Sequence, residues 1–271
     1  MLPKLLILAA LLTAATAHAQ TGFGPINPTP PTTPIPQLLH HMAEQEAAFA
    51  AARDHYTFTQ DVTIQTLAPA TNLPDGTYHQ ISSITFDDAG RRVERVTFAP
   101  ASTLQRVSLT AADLADIAHR LPFILTLPEL PAYTLTYLGR QQVDQLPTYV
   151  FDCTPRQLLK DQRYFQGRVW LSQTDDQIVL IHGQAVPQDT RPNHENLSPP
   201  FTTYYQPIDG KYWFPVYTRG LGTLHFPAHA DTLSQTVTIR TTVRYTNYKR
   251  FQATMTLHYG NAVQTPTPPQ K

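Results

Sequence analysis

The chain has 271 residues, 20 basic and 20 acidic side chains, and a formal charge of zero. That balance excludes a partner recognised by bulk charge, so no nucleic acid and no acidic surface is expected. Charged residues are only 15% of the chain while Thr, Gln and Pro are abundant, a neutral, polar-faced composition that suits β-sheet better than disorder.

The first segment reads as an export signal. Met1-Leu2-Pro3-Lys4 is a positive start, Leu5 to Leu12 is a short apolar run, and Ala17-His18-Ala19 is a small-x-small cleavage site before Gln20. Residues 1–19 are therefore expected to be removed. No Cys follows the apolar run and no second long apolar stretch exists, so neither a lipid anchor nor a transmembrane segment is expected in the mature chain. Residues 20–36 carry Pro25, Pro28, Pro30, Pro31, Pro34 and Pro36. Such a run is expected to stay out of sheet and helix, as an extended arm that acts as a spacer or docks a partner.

Gln37 to Arg53 predicts a helix, free of Gly and Pro, with Leu38, Leu39, Met42, Glu46, Phe49 and Arg53 near one face. Glu46 interrupts that apolar stripe. From Tyr56 the period changes to two. Tyr56, Phe58, Val62 and Ile64 share a face of a strand to Leu67; further strands follow over Thr77–Phe86 and Arg92–Phe98, separated by turns at Asn72-Leu73-Pro74-Asp75-Gly76 and Asp87-Asp88-Ala89-Gly90. Thr110 as N-cap, with Asp113 three residues on, predicts a second helix to about Arg120. Pro122 to Pro131 is an apolar connector suited to a wall over a sheet.

After Ala132 the pattern is all strand: Tyr133–Val143, Thr148–Thr154, Tyr164–Ser172, Gln177–Ala185, a hairpin around Asp209-Gly210, Gly222–Phe226, and Thr232–Tyr248. The last of these would be on the order of 50 Å long at about 3.3 Å per residue, which requires a bulge or strong curvature. Phe251 to Tyr259 could extend it; residues 261–271 form a Thr/Pro tail expected to be disordered. Around the Asp-Gly turn, Tyr212, Phe214 and Val216 alternate with Trp213 and Tyr217, and which set faces the core is open. Sequential antiparallel strands make the fold class mainly β (α+β): a curved meander of about 10–11 strands with two or three helices on its concave face.

Tyr164-Phe165-Gln166-Gly167-Arg168-Val169-Trp170-Leu171-Ser172, followed by Tyr204-Tyr205-Gln206-Pro207-Ile208-Asp209-Gly210-Lys211-Tyr212-Trp213-Phe214-Pro215, resembles the periplasmic outer-membrane lipoprotein-sorting proteins, the LolA/LolB-like superfamily. The resemblance covers roughly residues 37–260. It implies one open half-barrel domain in the periplasm, with an apolar groove between sheet and helices. It also implies a carrier of lipids or acyl chains of lipidated proteins; a monomer without a cofactor is expected. The family's inward arginine has no counterpart assignable by motif, and the Pro-rich arm and the tail are extra. Under this resemblance the groove would be lined by Phe58, Val62, Ile84, Phe86, Leu135, Tyr137, Phe151, Trp170, Phe214, Val237, Ile239 and Val243. Arg240 and Arg244, on the polar side of the last strand, are either solvated or turned inward to a headgroup.

Two other functions stay open. The sheet could be filled by its own side chains and serve as a non-enzymatic module that binds an envelope protein. A hydrolase is the third, but no nucleophile elbow, phosphate loop or dinucleotide fingerprint occurs. Asp144, Asp152 and Asp161 are the carboxylates such chemistry would draw on. His40-His41 diverge on a helix, and His225 with His229 flank Pro227, so no metal is expected; His194 and Glu195 add no geometry. Cys153, the only cysteine, alternates with Tyr149 and Phe151 on one face and is expected to be buried and inert.

Overall fold

A computed structural model describes residues 24–188, 197, 199–228 and 233–251. The expected signal segment, the tail, His194, Glu195 and His229 lie outside these residues, as does most of the proposed extension after Phe251.

Helix α1 spans Ile35–Arg53 and enters through Pro34 and Pro36, where a missing backbone donor costs nothing. Strands β1 (Tyr56–Leu67), β2 (Pro74–Phe86) and β3 (Arg92–Phe98) follow, then helix α2 (Ala111–His119). Thr110 caps α2 and Asp113 bonds back to it, a complete capping box. Seven more strands complete the chain: β4 (Tyr133–Val143), β5 (Leu146–Pro155), β6 (Tyr164–Ser172), β7 (Ile178–Val186), β8 (Phe201–Pro207), β9 (Trp213–Phe226) and β10 (Gln235–Arg250). Gly222–Phe226, expected as a separate strand, is the end of β9.

All ten strands form one open antiparallel sheet in the order β3-β2-β1-β10-β9-β8-β7-β6-β5-β4. It consists of two meanders joined where β1 pairs with β10, Tyr56 opposite Arg250. The register shifts between Thr57 and Thr59, and Asn247 takes φ 57°; this bulge is how the long last strand is accommodated. Strands β3 and β4 sit at opposite edges, so residues 99–132 must cross the sheet's width. They do so over one face, taking α2 with them.

That inner face carries the main core. Leu38, Met42 and Ala43 of α1 and Ile117 of α2 pack with Phe151, Val237 and other buried sheet residues. The connector after α2 is a wall, as expected. Phe123 stacks on Phe165 at 4.5 Å, and Leu125 is fully buried. Its carbonyls are not left without partners: Thr203 Oγ1 donates to Leu121 O at 2.7 Å and Tyr205 OH to Phe123 O at 3.1 Å. Arg163 holds the buried Asp116 of α2 through two nitrogens, at 2.7 and 3.0 Å. Cys153 is buried here, and burial pushes its thiol up to about 12.

The outer face has a smaller cluster of Val143, Val150, Trp170, Val179 and Leu180, against which Ile26 packs. This corrects the expectation for the Pro-rich arm. Asn27 makes an antiparallel bridge with Arg140, and Tyr137 OH and Arg140 Nη2 donate to Thr29 O and Pro30 O. The arm lies along edge strand β4, with the non-proline Asn27 supplying the backbone donor that prolines lack.

Gly167 and Gly183 face each other across β6 and β7. A Cβ on Gly167 would lie 2.2 Å from the His182 carbonyl oxygen, and one on Gly183 would lie 2.4 Å from that of Gln166. Both obstacles are backbone, so the strands would have to part. Gly167→Ala is expected to cost about 1–3 kcal/mol in urea unfolding; an unchanged midpoint would mean the strands yield freely.

Candidate functional site

The inner face is filled by side chains over much of its width, but not at the end formed by β1, β2, β9 and β10. There the C-terminal ends of both helices and the β2–β3 turn enclose a cavity of about 450 Å³. This is within the ~300–1,000 Å³ range of small-molecule sites, and room for roughly fifteen water-sized groups at about 30 Å³ each.

Its floor is aromatic. Phe214 is completely buried between Phe49 (ring centroids 5.1 Å apart), Tyr56 (4.7 Å) and Tyr248 (4.9 Å), and Phe58 stacks on Tyr248 at 5.1 Å. These rings come from α1, β1, β9 and β10, so the site exists only when the two meanders have joined. Their hydroxyls are satisfied away from the rings. Tyr56 OH donates to Asp209 Oδ2 and Tyr248 OH to Pro215 O, both at 2.6 Å. Burial is the main force raising both phenols, Tyr56 to about 12 and Tyr248 well above its usual value, so neither is an acid at neutral pH.

The β8–β9 hairpin is therefore tied to β1 through its tip. Asp209 also accepts from the backbone N–H groups of Lys211 and Tyr212, each at 3.0 Å, and Gly210 takes φ 75°. The loop is five residues, 208–212, longer than the tightest Asp-Gly turn. Phe214 is the ring that faces the helices, with Tyr212 beside it, whereas Tyr217 pairs with Tyr204 on the outer side.

The rim is basic. Arg53 at the end of α1, Arg91 and Arg92 at the β2–β3 turn, and His119 at the end of α2 all border the cavity. Arg92 donates to Gln60 Oε1 at 2.6 Å and Glu94 Oε2 at 2.5 Å; Arg91 donates to Asp87 Oδ2 at 2.8 Å. Gln60 is itself buried on the same face as Phe58 and Val62. Burial holds His119 below the usual imidazole value, and the nearby Arg120, Arg92 and Arg53 lower it further.

Of the residues singled out from sequence, Phe58, Phe86 and Phe214 line the cavity. Val62, Phe151, Val237, Ile239 and Val243 lie in the filled core, and Ile84 is fully buried. Leu135 and Tyr137 pack half-buried against that core. Trp170 lies on the outer face, its Nε1 donating to Gln141 Oε1 at 2.6 Å. Arg240 and Arg244 alternate with buried Val237, Ile239 and Val243 and face outward; the inward reading of this pair does not hold. The arginines that do border a cavity, with Gln60 and His119, went unread because they are spread over α1, β1, the β2–β3 turn and α2. Arg53 alone carried a signal, its place on the apolar stripe of α1.

The carboxylates Asp144 and Asp161 sit in separate turns, both with positive φ, and Asp152 pairs with Arg168 at 3.0 Å. His40 faces Glu44, His41 lies 3.7 Å from Asp176, and His225 Nδ1 is 3.2 Å from Thr236 Oγ1. Among the described residues no group of three or more His, Cys, Asp or Glu is placed to hold a metal ion. No described helix is long and apolar enough to cross a membrane.

No protein-family model matches the chain, and no curated protein matches it. Solved structures similar to it include a DUF1329 family protein from Desulfovibrio piger, at 12% identity and a TM-score of 0.35, covering 79% of this chain and 95% of that one. A LolA superfamily protein from Nitrosomonas europaea is similar at 14% identity and a TM-score of 0.30, covering 78% and 94%. MucB, solved in complex with MucA(peri), is similar at 14% identity and a TM-score of 0.22, covering 76% and 92%. The chain's own sheet is open, ten-stranded and antiparallel, with both helices on one face, the mainly β fold class expected from the sequence.

Proposed function

We propose that this chain is an exported periplasmic protein that carries or binds a lipid or the acyl chains of a lipidated protein. In this reading residues 1–19 are the export signal, residues 37–260 are one domain, and the protein acts as a non-enzymatic monomer. The observation that carries it is the cavity of about 450 Å³ floored by Phe49, Phe58, Phe214 and Tyr248. An acyl chain moved there from water gains about 0.8 kcal/mol per methylene. The site lies between sheet and helix ends, so displacing α2 and its connector would open it without breaking a strand pair.

Native mass spectrometry of the protein purified from its own envelope without detergent is expected to show bound lipid mass. A matching solution test uses the fluorophore N-phenylnaphthylamine. Ala118 lines the cavity, and Ala118→Trp is expected to fill it and weaken probe binding about tenfold or more, or ~1.4 kcal/mol. Equal binding by both chains would place the probe elsewhere and sink the carrier reading.

A second reading has its own support. Edge strand β3 leaves Val93, Val96 and Phe98 about half exposed, at 46%, 50% and 49%. An apolar, unpaired edge is suited to adding a partner's strand. A stoichiometric protein partner, with no lipid, in the same mass spectra would favour this alternative.

A further inference from the structure

The cavity has two chemical ends, and only one is explained by an acyl chain. We propose that its ligand is an apolar chain ending in an oxyanion, a carboxylate or a phosphate ester, and that Arg53 seats that group. This deepens the carrier reading and rests on it for the apolar part.

Basic side chains from α1, the β2–β3 turn and α2 converge on one rim, and no carboxylate is among the residues lining the cavity. They are not equivalent. Arg91 and Arg92 are already engaged at 2.8 Å or less with Asp87, Glu94 and Gln60. Arg53 reaches only its neighbour Asp54, at 3.4 Å, and its Nε is buried with no hydrogen-bond partner. A buried guanidinium N–H without an acceptor is costly and uncommon. Its guanidinium carbon lies 4.9 Å from the centre of the Phe86 ring, which also lines the cavity. Cation and apolar wall thus meet at one point, as an amphiphile with an anionic head requires. A cation at the last residue of α1 also complements the helix dipole. That accounts for the charge, but not for a buried donor left over beside a cavity. His119 is held low first by burial, and Arg120, Arg92 and Arg53 lower it further.

The test is displacement of N-phenylnaphthylamine from the full chain by dodecanoate, dodecyl phosphate or dodecanol. At low salt at least one anion is expected to displace the probe at about tenfold lower concentration than the alcohol. Which anion does so distinguishes a carboxylate head from a phosphate one. Raising salt should weaken the anions and leave the alcohol unchanged. Arg53→Met and Arg53→Gln should remove the preference while dodecanol still competes within about twofold, and Arg53→Lys should keep part of it. Thermal melting of each variant verifies folding. If dodecanol competes as well as both anions in the natural chain, or the preference survives in both Arg53→Met and Arg53→Gln, the head assignment is wrong while the carrier reading stands. If none of the three displaces the probe, the carrier reading fails and takes the head assignment with it.

Discussion

Phe214→Ala is expected to destabilise the fold by about 3–5 kcal/mol, the range for emptying a fully buried aromatic site. Phe214 touches three rings from three other elements, each within 5.1 Å. Such ring pairs add ~0.5–1.5 kcal/mol each beyond area burial. For a domain of this size the melting temperature should fall by roughly 10 °C. Tyr217→Ala, on the outer side of the same strand, should cost less than half as much, because Tyr217 is only partly buried. A loss for Phe214→Ala no larger than for Tyr217→Ala would mean that the rings close over the gap and that this cluster does not hold the meanders together.

Glu46 should make stability depend on pH in an unusual direction. It is buried on α1, where its Oε1 accepts the Ile178 N–H at 3.2 Å. Burial is the largest effect and raises its carboxyl from 4.5 to about 8. In the unfolded chain Glu46 ionises above about 4.5, so between that pH and 8 the folded chain binds the extra proton. Its contribution is therefore fully favourable below the unfolded value and declines as pH rises toward 8. The slope is up to about 1.4 kcal/mol per pH unit, and the loss at pH 7 is on the order of 3 kcal/mol. Glu46→Gln removes the charge and keeps an acceptor. Its urea midpoint should equal the natural chain's near pH 4.5 and exceed it at pH 7–8. A difference that does not change with pH would show that Glu46 is ionised in the folded chain.

These two residues mark how far local pattern reaches. Strand positions were legible because their signals are local, residue type and turn residues at the ends: β1, β3, β4 and β6 have the bounds expected, and β1 alternates in burial as well. The start of α2 was legible for the same reason, since Thr110 and Asp113 need only each other. The stripe on α1 was read correctly, but Glu46 was read as a break in it. Its burial depends on Ile178, a strand away on the far side of the sequence. Phe58, Phe86 and Phe214 were found as lining residues because aromatics on an inner face are the default. The basic rim was not found, since no local rule brings a helix end, a turn and a second helix end together. The strand order was also beyond reach: neighbouring strands usually pair in sequence, whereas β1 and β10 pair across the whole domain.

That last pairing has a bearing on how the molecule is made. The sheet's central seam joins the first strand to the last, so a chain emerging N-terminus first cannot finish the sheet until β10 is available. Until then β1 and β9 each present an open edge, and α1 lacks the β10 residues in its core cluster. Loops this long close slowly. The seam therefore keeps a nascent chain unfinished for as long as synthesis continues. Because the aromatic floor straddles the seam, the cavity takes shape only at the same event.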